Sequence, residues 1–99
     1  MEAAFIFIAP EADPEKHHAR IDTPVVKLTV VGVQNYAQAA TVARSLLDKG
    51  VTAFELCAGF GNEGVALVNK ALEGKAQVGA VRFDCHPGLG FKSGDALFG

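Results

Sequence analysis

Four stretches of the chain are rich in apolar and β-branched residues, and each predicts a β-strand. They cover residues 3–9 (AAFIFIA), 25–33 (VVKLTVVGV), 51–57 (VTAFELC) and 77–83 (QVGAVRF). The first stretch is apolar at successive positions, which is typical of a central strand that is buried on both faces. The second is rich in β-branched residues, which strands favour.

Two further stretches carry apolar residues at helical spacing, and both lie between the later strands. The first helix is predicted to begin at Asn35 as its cap, with Gln38 at the capping-box position, and to end before Gly50. The second is predicted to begin at Gly61 or Asn62 and to stop at Gly74. The apolar positions of the two helices are Ala39, Val42, Ala43, Leu46 and Leu47, and then Val65, Val68, Ala71 and Leu72.

This succession predicts one α/β domain over residues 1–99, with a small, mostly parallel four-stranded sheet and two main helices in the order β-β-α-β-α-β. Strands that alternate with helices favour parallel pairing through right-handed crossovers. Residues 10–24 are predicted to form a surface loop with one helical turn around residues 15–20, and residues 84–99 a glycine-rich C-terminal tail. Because so small a sheet leaves its strand edges uncovered, we expect a homodimer or a larger oligomer to complete it.

Charge and composition exclude several classes of protein. The 99 residues hold 9 basic and 11 acidic side chains, a net charge of −2, which argues against a strongly basic nucleic-acid binder. No apolar run approaches the roughly 20 residues of a membrane span. The start MEAAFIFIAPEADP places an acid where a signal peptide carries positive charge. With two cysteines and no export signal, we expect a cytoplasmic protein with free thiols.

A glycine-rich loop follows the third predicted strand. Residues 59–64 (GFGNEG) match the pattern G-x-G-x-x-G, and Asp84 lies 20 residues further on. A dinucleotide is disfavoured, because Glu63 would meet the pyrophosphate and only 15 residues follow Asp84. Two interpretations stay open, a tight turn or a site for a smaller anion such as a carboxylate or phosphate. In the second, the contributing residues would be Gly59, Gly61, Asn62, Glu63 and Gly64.

Two opposite charges lie inside neighbouring predicted strands. Glu55 and Arg82 sit at similar depths, and a charge inside a covered sheet must be paired or hydrated. Either they form a structural ion pair, or they line a polar cavity at the carboxyl end of the sheet, where open α/β sheets bind ligands. In the second case Arg82 would bind an anion. The tail would form a lid over this edge, with Lys92 supplying a cation and Ser93 as a further ligand-binding residue.

Cysteine, histidine and acidic side chains lie at the same predicted edge of the sheet. The candidate catalytic residues there are Glu55, Cys57, Asp84, Cys85 and His86. A thiolate nucleophile would use His86 as a base, oriented by Glu55 or Asp84. A metal site would combine Cys57, Cys85 and His86, with His17 or His18 as a fourth ligand. The alternative is two small buried thiols and a surface histidine. The chain lacks C-x-x-C spacing, so no metal is assigned.

The segments AAFIFIAPEADP, TVVGV, FELCAGFGNEGVA and VRFDCHPGLGFKSGDALF resemble a family of small prokaryotic proteins of unknown function over nearly the whole chain. That family has no established activity, so the resemblance implies no catalytic role. The stretch GVTAFELCAGFG is also similar to a βα unit of a (β/α) barrel, in architecture alone.

Together these patterns favour a protein that binds, or transforms, a small anionic metabolite at the C-terminal edge of the sheet. Two alternatives stay open: a metal- or redox-responsive module built on cysteine and histidine, and a structural homo-oligomer without a small-molecule ligand. The sequence predicts no particular cofactor, no nucleic-acid partner and no membrane partner, and it leaves open whether the protein is an enzyme.

Overall fold

A computed structural model describes residues 1–99 as one sheet with a layer of helices. The elements in chain order are β1 (Glu2–Ile8), β2 (His18–Asp22), β3 (Lys27–Val33), α1 (Tyr36–Asp48), β4 (Ala53–Leu56), α2 (Asn62–Ala71), β5 (Gln77–Ala80), a 3₁₀ turn (Pro87–Leu89) and α3 (Gly94–Phe98).

The sheet has five strands in the order β2-β3-β1-β4-β5. The four strands β3, β1, β4 and β5 are parallel to one another, whereas β2 runs antiparallel to β3. The α/β class and the order of the four predicted strands are confirmed. The prediction of four mostly parallel strands is wrong in number, since the sheet is mixed and gains β2.

The additional strand lies inside the predicted surface loop at residues 10–24. All five residues of β2 are exposed, and they pair only with β3 at the edge of the sheet. Arg20 of β2 forms ion pairs with Glu2 and with Asp22, each at 2.9 Å. The helical turn expected around residues 15–20 is only partly correct: one turn closes over residues 13–17, where the His17 N–H donates to the Asp13 carbonyl oxygen at 2.7 Å. Residues 18–20 instead belong to β2, because their backbone pairs with that of β3. A charged edge strand has no apolar alternation, so its sequence gives no strand signal.

Both main helices cover the same face of the sheet. The connection through α1 steps from β3 past β1 to β4, and α2 steps onward in the same direction to β5. Right-handed crossovers that step the same way place their helices on one face, and α1 and α2 indeed pack together. The buried core lies between them and the sheet, and its sheet residues include Ala4, Ile6, Ile8, Val31, Val33, Phe54 and Leu56.

The opposite face of the sheet is uncovered. On β1, the residues that alternate with the buried ones are only half-buried, Phe5 and Phe7 among them. In register with them on neighbouring strands are Val30 of β3 and Glu55 of β4. The expectation that the first strand is buried on both faces is therefore wrong, because every helix of the chain lies on the other side.

The ends of the helices follow the capping chemistry that the sequence predicts. Asn35 Oδ1 accepts a hydrogen bond from the Gln38 backbone N–H at 2.8 Å, and Gly50 adopts a left-handed conformation with φ +100°. Gly61 caps α2 as expected. None of the helices combines the length and apolar character needed to cross a membrane.

The glycine-rich tail at residues 84–99 is folded against the body of the domain. It contains the 3₁₀ turn and α3, and the ring of Phe98 is buried in the core. Ser93 caps α3 by accepting a hydrogen bond from the Asp95 backbone N–H. This docking brings the tail to the C-terminal edge of the sheet.

Candidate functional site

The start of α2 holds a carboxylate from the chain's own tail. Asp95 Oδ1 accepts hydrogen bonds from the Tyr36 hydroxyl at 2.7 Å and from the Gly64 N–H at 3.2 Å, and Oδ2 accepts one from the Glu63 N–H at 3.1 Å. The Tyr36 hydroxyl in turn accepts from the Gly61 N–H at 3.0 Å. Asp95 therefore occupies the place where a helix start binds an anion.

Electrostatics at this contact favour ionised Asp95 and neutral Tyr36. Burial alone would raise the pKa of Asp95, but hydrogen bonds from Tyr36, Glu63 and Gly64 outweigh it and lower that pKa. Burial raises the pKa of Tyr36 well above its usual value, and the neighbouring Asp95 carboxylate adds to the rise. The pair is thus a hydroxyl donating to a carboxylate.

The glycines of residues 59–64 serve close packing around this contact. A side chain at Gly61 would collide with the Asp95 carboxylate, and one at Gly64 would meet the Tyr36 ring at 2.5 Å. A side chain at Gly59 would meet Ile8 of β1 at 2.5 Å. The G-x-G-x-x-G pattern therefore makes room for groups of the same chain, which accounts for it without a bound nucleotide.

Beside this closed contact lies an open polar pocket at the end of β5. It has a volume of about 150 Å³. Arg82 Nη1 donates to Asn62 Oδ1 at 2.5 Å, and Arg82 Nε and Nη2 lie 3.0 and 2.8 Å from Asp84 Oδ1. The residues that line the pocket are Phe60, Gly61, Asn62, Arg82, Phe83, Asp84 and Ser93. Four of the residues predicted to bind a ligand, together with Asp84, are thus brought together here.

Comparison of the chain with known proteins shows the family to which it belongs. The model of the family of unknown function DUF6506 matches residues 1–96. This chain belongs to that family. No curated protein and no solved structure matches it. Because the function of DUF6506 is unknown, membership of the family assigns no activity to the residues of the pocket.

Glu55 lies apart from the other candidates of this DUF6506 chain. It pairs in register with Phe5 on the uncovered face, whereas Arg82 contacts Asn62 of α2 on the helix side. Glu55 forms no ion pair, and Arg82 pairs with Asp84 instead. Of the two interpretations of these charges, the Glu55–Arg82 pair is absent from the structure.

The two cysteines and His86 are not assembled into a metal site. No group of three or more His, Cys, Asp or Glu side chains is placed to hold a metal ion, and both cysteines are free. Cys57 is half-buried, and its Sγ accepts from the N–H groups of Ile8 and Gly59, each at 3.3 Å. Cys85 is exposed.

The remaining candidates of the tail serve local turns. His86 Nδ1 accepts from the Gly88 N–H at 2.9 Å, and its ring packs edge-on against Phe83. Lys92 is exposed, and its backbone pairs with that of His86. Neither side chain lines the 150 Å³ pocket. His17 lies in the turn before β2 and His18 is the first residue of β2, and a ring nitrogen of each bonds to a backbone group of that turn.

Sequence reasoning missed Tyr36 and Asp95, the two side chains that join the tail to α2. The segment SGDALF carries a signal for a helix start, because serine is a favoured cap and an acid is favoured in the first turn. That signal predicts α3. It does not indicate that Asp95 reaches a second helix, whose residues lie about thirty positions earlier.

Proposed function

We propose that this protein binds a small anionic metabolite through the pocket at Arg82. The observation that carries the proposal is the hydrogen-bonding state of its polar side chains. Arg82 has only donors, and the single side-chain oxygen acceptor of Asn62 is engaged by Arg82. The Asn62 amide nitrogen is therefore left as a donor.

Ser93 adds a third donor. Its Oγ accepts from the Asp95 N–H at 3.2 Å, which leaves the hydroxyl proton available. Three side chains with donors to offer around one pocket match the oxygen atoms of a carboxylate or a phosphate. Asp84 lines the same pocket and its charge balances that of Arg82, so we expect weak binding, with a dissociation constant on the order of 1 mM for a simple anion.

The size of the pocket limits what it holds. Sites for whole cofactors or drug-sized ligands occupy roughly 300–1,000 Å³, whereas this pocket has about 150 Å³. We therefore propose that it receives the anionic end of a metabolite, with the remainder outside. The proposal is one of binding and assigns no chemical step to Cys57, Cys85 or His86. A cytoplasmic location stays a prediction.

Titration with inorganic phosphate and with acetate, followed by two-dimensional NMR, tests this proposal. We expect chemical-shift changes centred on Asn62, Arg82 and Ser93, and their loss in Arg82→Gln. Asn62→Asp should also abolish binding, because it replaces donors by a second acceptor and a negative charge. Arg44→Gln is the matched control, since Arg44 is exposed on α1 and forms no ion pair. Equal binding by Arg82→Gln and the wild type would refute the proposal.

A second proposal concerns the uncovered face of the sheet, which we propose packs against a second copy of this chain. Half-buried apolar side chains spread across its strands, namely Phe5, Phe7, Leu28 and Val30, with exposed Ile21 beside them. At usual strand spacing and rise, five strands offer roughly 500 Å² per partner, which approaches the roughly 1,000 Å² in total expected of a specific interface. Glu55 lies on β4, next to the edge strand β5, so it would be at the rim of the proposed interface.

Sedimentation velocity over a range of concentrations tests the self-association. We expect a dimer for the wild type and a monomer for Val30→Glu, because Val30 lies between Phe5 and Ala19 in the sheet. Val25→Glu is the control, since Val25 is 75% exposed in the turn before β3 and outside the face. A monomeric wild type at every concentration would contradict this proposal and leave the Arg82 pocket unaffected.

A further inference from the structure

A larger cleft lies at the opposite end of the helix layer from the Arg82 pocket. It has a volume of about 620 Å³ and is lined by residues of α1, of β3 and of the turn before β2, and by the first residue of β2. That volume falls within the roughly 300–1,000 Å³ of sites for small molecules. Three of its twelve lining residues are hydrophobic, and charged and hydroxyl side chains are among the others, so the cleft offers both apolar and polar contacts to a ligand.

The cleft follows from the topology of the sheet. The connection from β1 to β3 passes through the edge strand β2 and contains no helix, so no third helix covers this end of the sheet. Thr29 and Val31 of β3 are left on the helix side, since Thr29 is in register with buried Ala4 and Val31 with buried Ile6. One side of α1 forms the wall, from Gln38 to Lys49.

Opposite charges lie at the two ends of the cleft. Asp13 and Glu15 are at the end where β1 leaves the sheet, near Gln38 at the start of α1. Lys49 is at the other end of α1, eleven residues after Gln38. At about 1.5 Å per residue, Gln38 and Lys49 lie about 16 Å apart along the axis of α1.

His18 contributes a defined acceptor near the acidic end. Its Nδ1 lies 2.9 Å from the Pro14 carbonyl oxygen. A carbonyl can only accept, so Nδ1 carries the proton of the neutral ring and Nε2 keeps its lone pair. The acidic end thus offers acceptors to a cation. Between the ends, the apolar side chains of Val42 and Leu46 line the cleft beside Thr41 and Ser45.

We infer that this cleft binds a linear zwitterion, with its ammonium group at Asp13 and Glu15 and its carboxylate at Lys49. The intervening methylene groups lie along Val42 and Leu46. A ligand with only one charge would satisfy one end and leave the other hydrated, so both charges are required for full affinity. This site is separate from the Arg82 pocket and does not depend on it.

A series of ω-amino carboxylates from glycine to 8-aminooctanoate tests the inference by calorimetry and NMR. We expect affinity to rise with chain length, and 8-aminooctanoate to bind at least tenfold more tightly than octanoate or octylamine. Lys49→Gln should weaken that binding about tenfold, as expected when a charged hydrogen-bond partner is lost. Ser45→Phe should abolish it by filling the cleft at an exposed position.

Two controls separate this site from the rest of the molecule. Lys70→Gln changes an exposed lysine on α2, outside the cleft, and should leave binding of 8-aminooctanoate unchanged. Arg82→Gln should also leave it unchanged, which distinguishes this site from the anion pocket. The inference is overturned if no member of the series binds, if single-charge analogues bind equally well, or if Ser45→Phe binds as the wild type does.

Discussion

Two groups of hydrogen-bond donors lie side by side at the C-terminal edge of the sheet, and they differ in how far the chain itself supplies their acceptors. The donors at the start of α2 and the Tyr36 hydroxyl are satisfied by Asp95 of the same chain. The donors around Arg82 are only partly engaged, and an open pocket lies in front of them. The same chemistry therefore joins the tail to the domain at one place and is available to a ligand at the other.

The difference arises from where the C-terminal tail is anchored. Phe98 is anchored in the core and Gly94 packs against the backbone of Gly59, so Asp95 is fixed where its carboxylate meets α2. The Arg82 side chain is 65% exposed and its partner Asp84 is 77% exposed, so both side chains are in contact with water. We conclude that the closed contact stabilises the fold and that the open one contributes little to stability.

The largest expected effect is that of Asp95→Ala. It removes the acceptor of three hydrogen bonds and leaves the Tyr36 hydroxyl and the Gly64 N–H without a partner at a partly buried site. We expect the free energy of unfolding, measured with urea at pH 7, to fall by about 3 kcal/mol. Arg82→Gln should change it by less than about 1 kcal/mol, because exposed ion pairs contribute little.

Asp48→Ala is the control for that comparison, since Asp48 is exposed at the end of α1 and its side chain forms no ion pair. It should shift the free energy of unfolding by no more than about 0.5 kcal/mol. If Asp95→Ala were as mild as Asp48→Ala, the tail contact would not be the stabilising one, and the contrast between the two donor groups would fail.

An intermediate effect is expected from a methyl group at Gly64. An added Cβ would lie 2.5 Å from Cζ of Tyr36, so the ring must shift away from Asp95. We expect Gly64→Ala to lower the free energy of unfolding by about 2 kcal/mol, as overpacking commonly does. Gly79→Ala on β5 is the matched control, because nothing lies within 4 Å of its added Cβ. Thermal unfolding that ranked the two variants equally would argue against tight packing at the tail contact.

The smallest effect at neutral pH, and the most specific, concerns the ionisation of Tyr36. Its pKa is raised in the folded protein, so its stabilisation is fully present below pH 10, near the unfolded value, and is lost as pH rises through the folded-state pKa. Asp95 has a lowered pKa, so its contribution is present above about pH 4 and is lost as pH falls.

Phenolate absorbance measures the first of these directly, because Tyr36 is the single tyrosine of the chain and there is no tryptophan. We expect the phenolate to form at higher pH in the native protein than in urea, and expect Asp95→Asn to reduce the difference. Equal titration in the native and unfolded states would show that Tyr36 is not held by burial and by Asp95.

The sequence was most informative where the structure is local. The cap at Asn35, the left-handed Gly50 and the start of α2 at Gly61 all follow from side chains within a few residues of one another. The clustering of Arg82, Asn62 and Ser93 was predicted from a general property of α/β sheets, namely that the ends of parallel strands share one edge. The edge strand β2 was missed, because its pairing depends on β3 and its own residues are charged and exposed.

By itself, the sequence determined the α/β class, the two main helices and four of the strands, since periodicity and capping act over one or two turns of chain. Only the tertiary structure decided that both helices share one face, that Glu55 and Arg82 lie on opposite sides, and that Asp95 closes the start of α2. These outcomes depend on the order of strands and on contacts between residues distant along the chain. Hydrophobic pattern does not encode them, because a residue's periodicity identifies which face it presents but not which distant segment that face will meet.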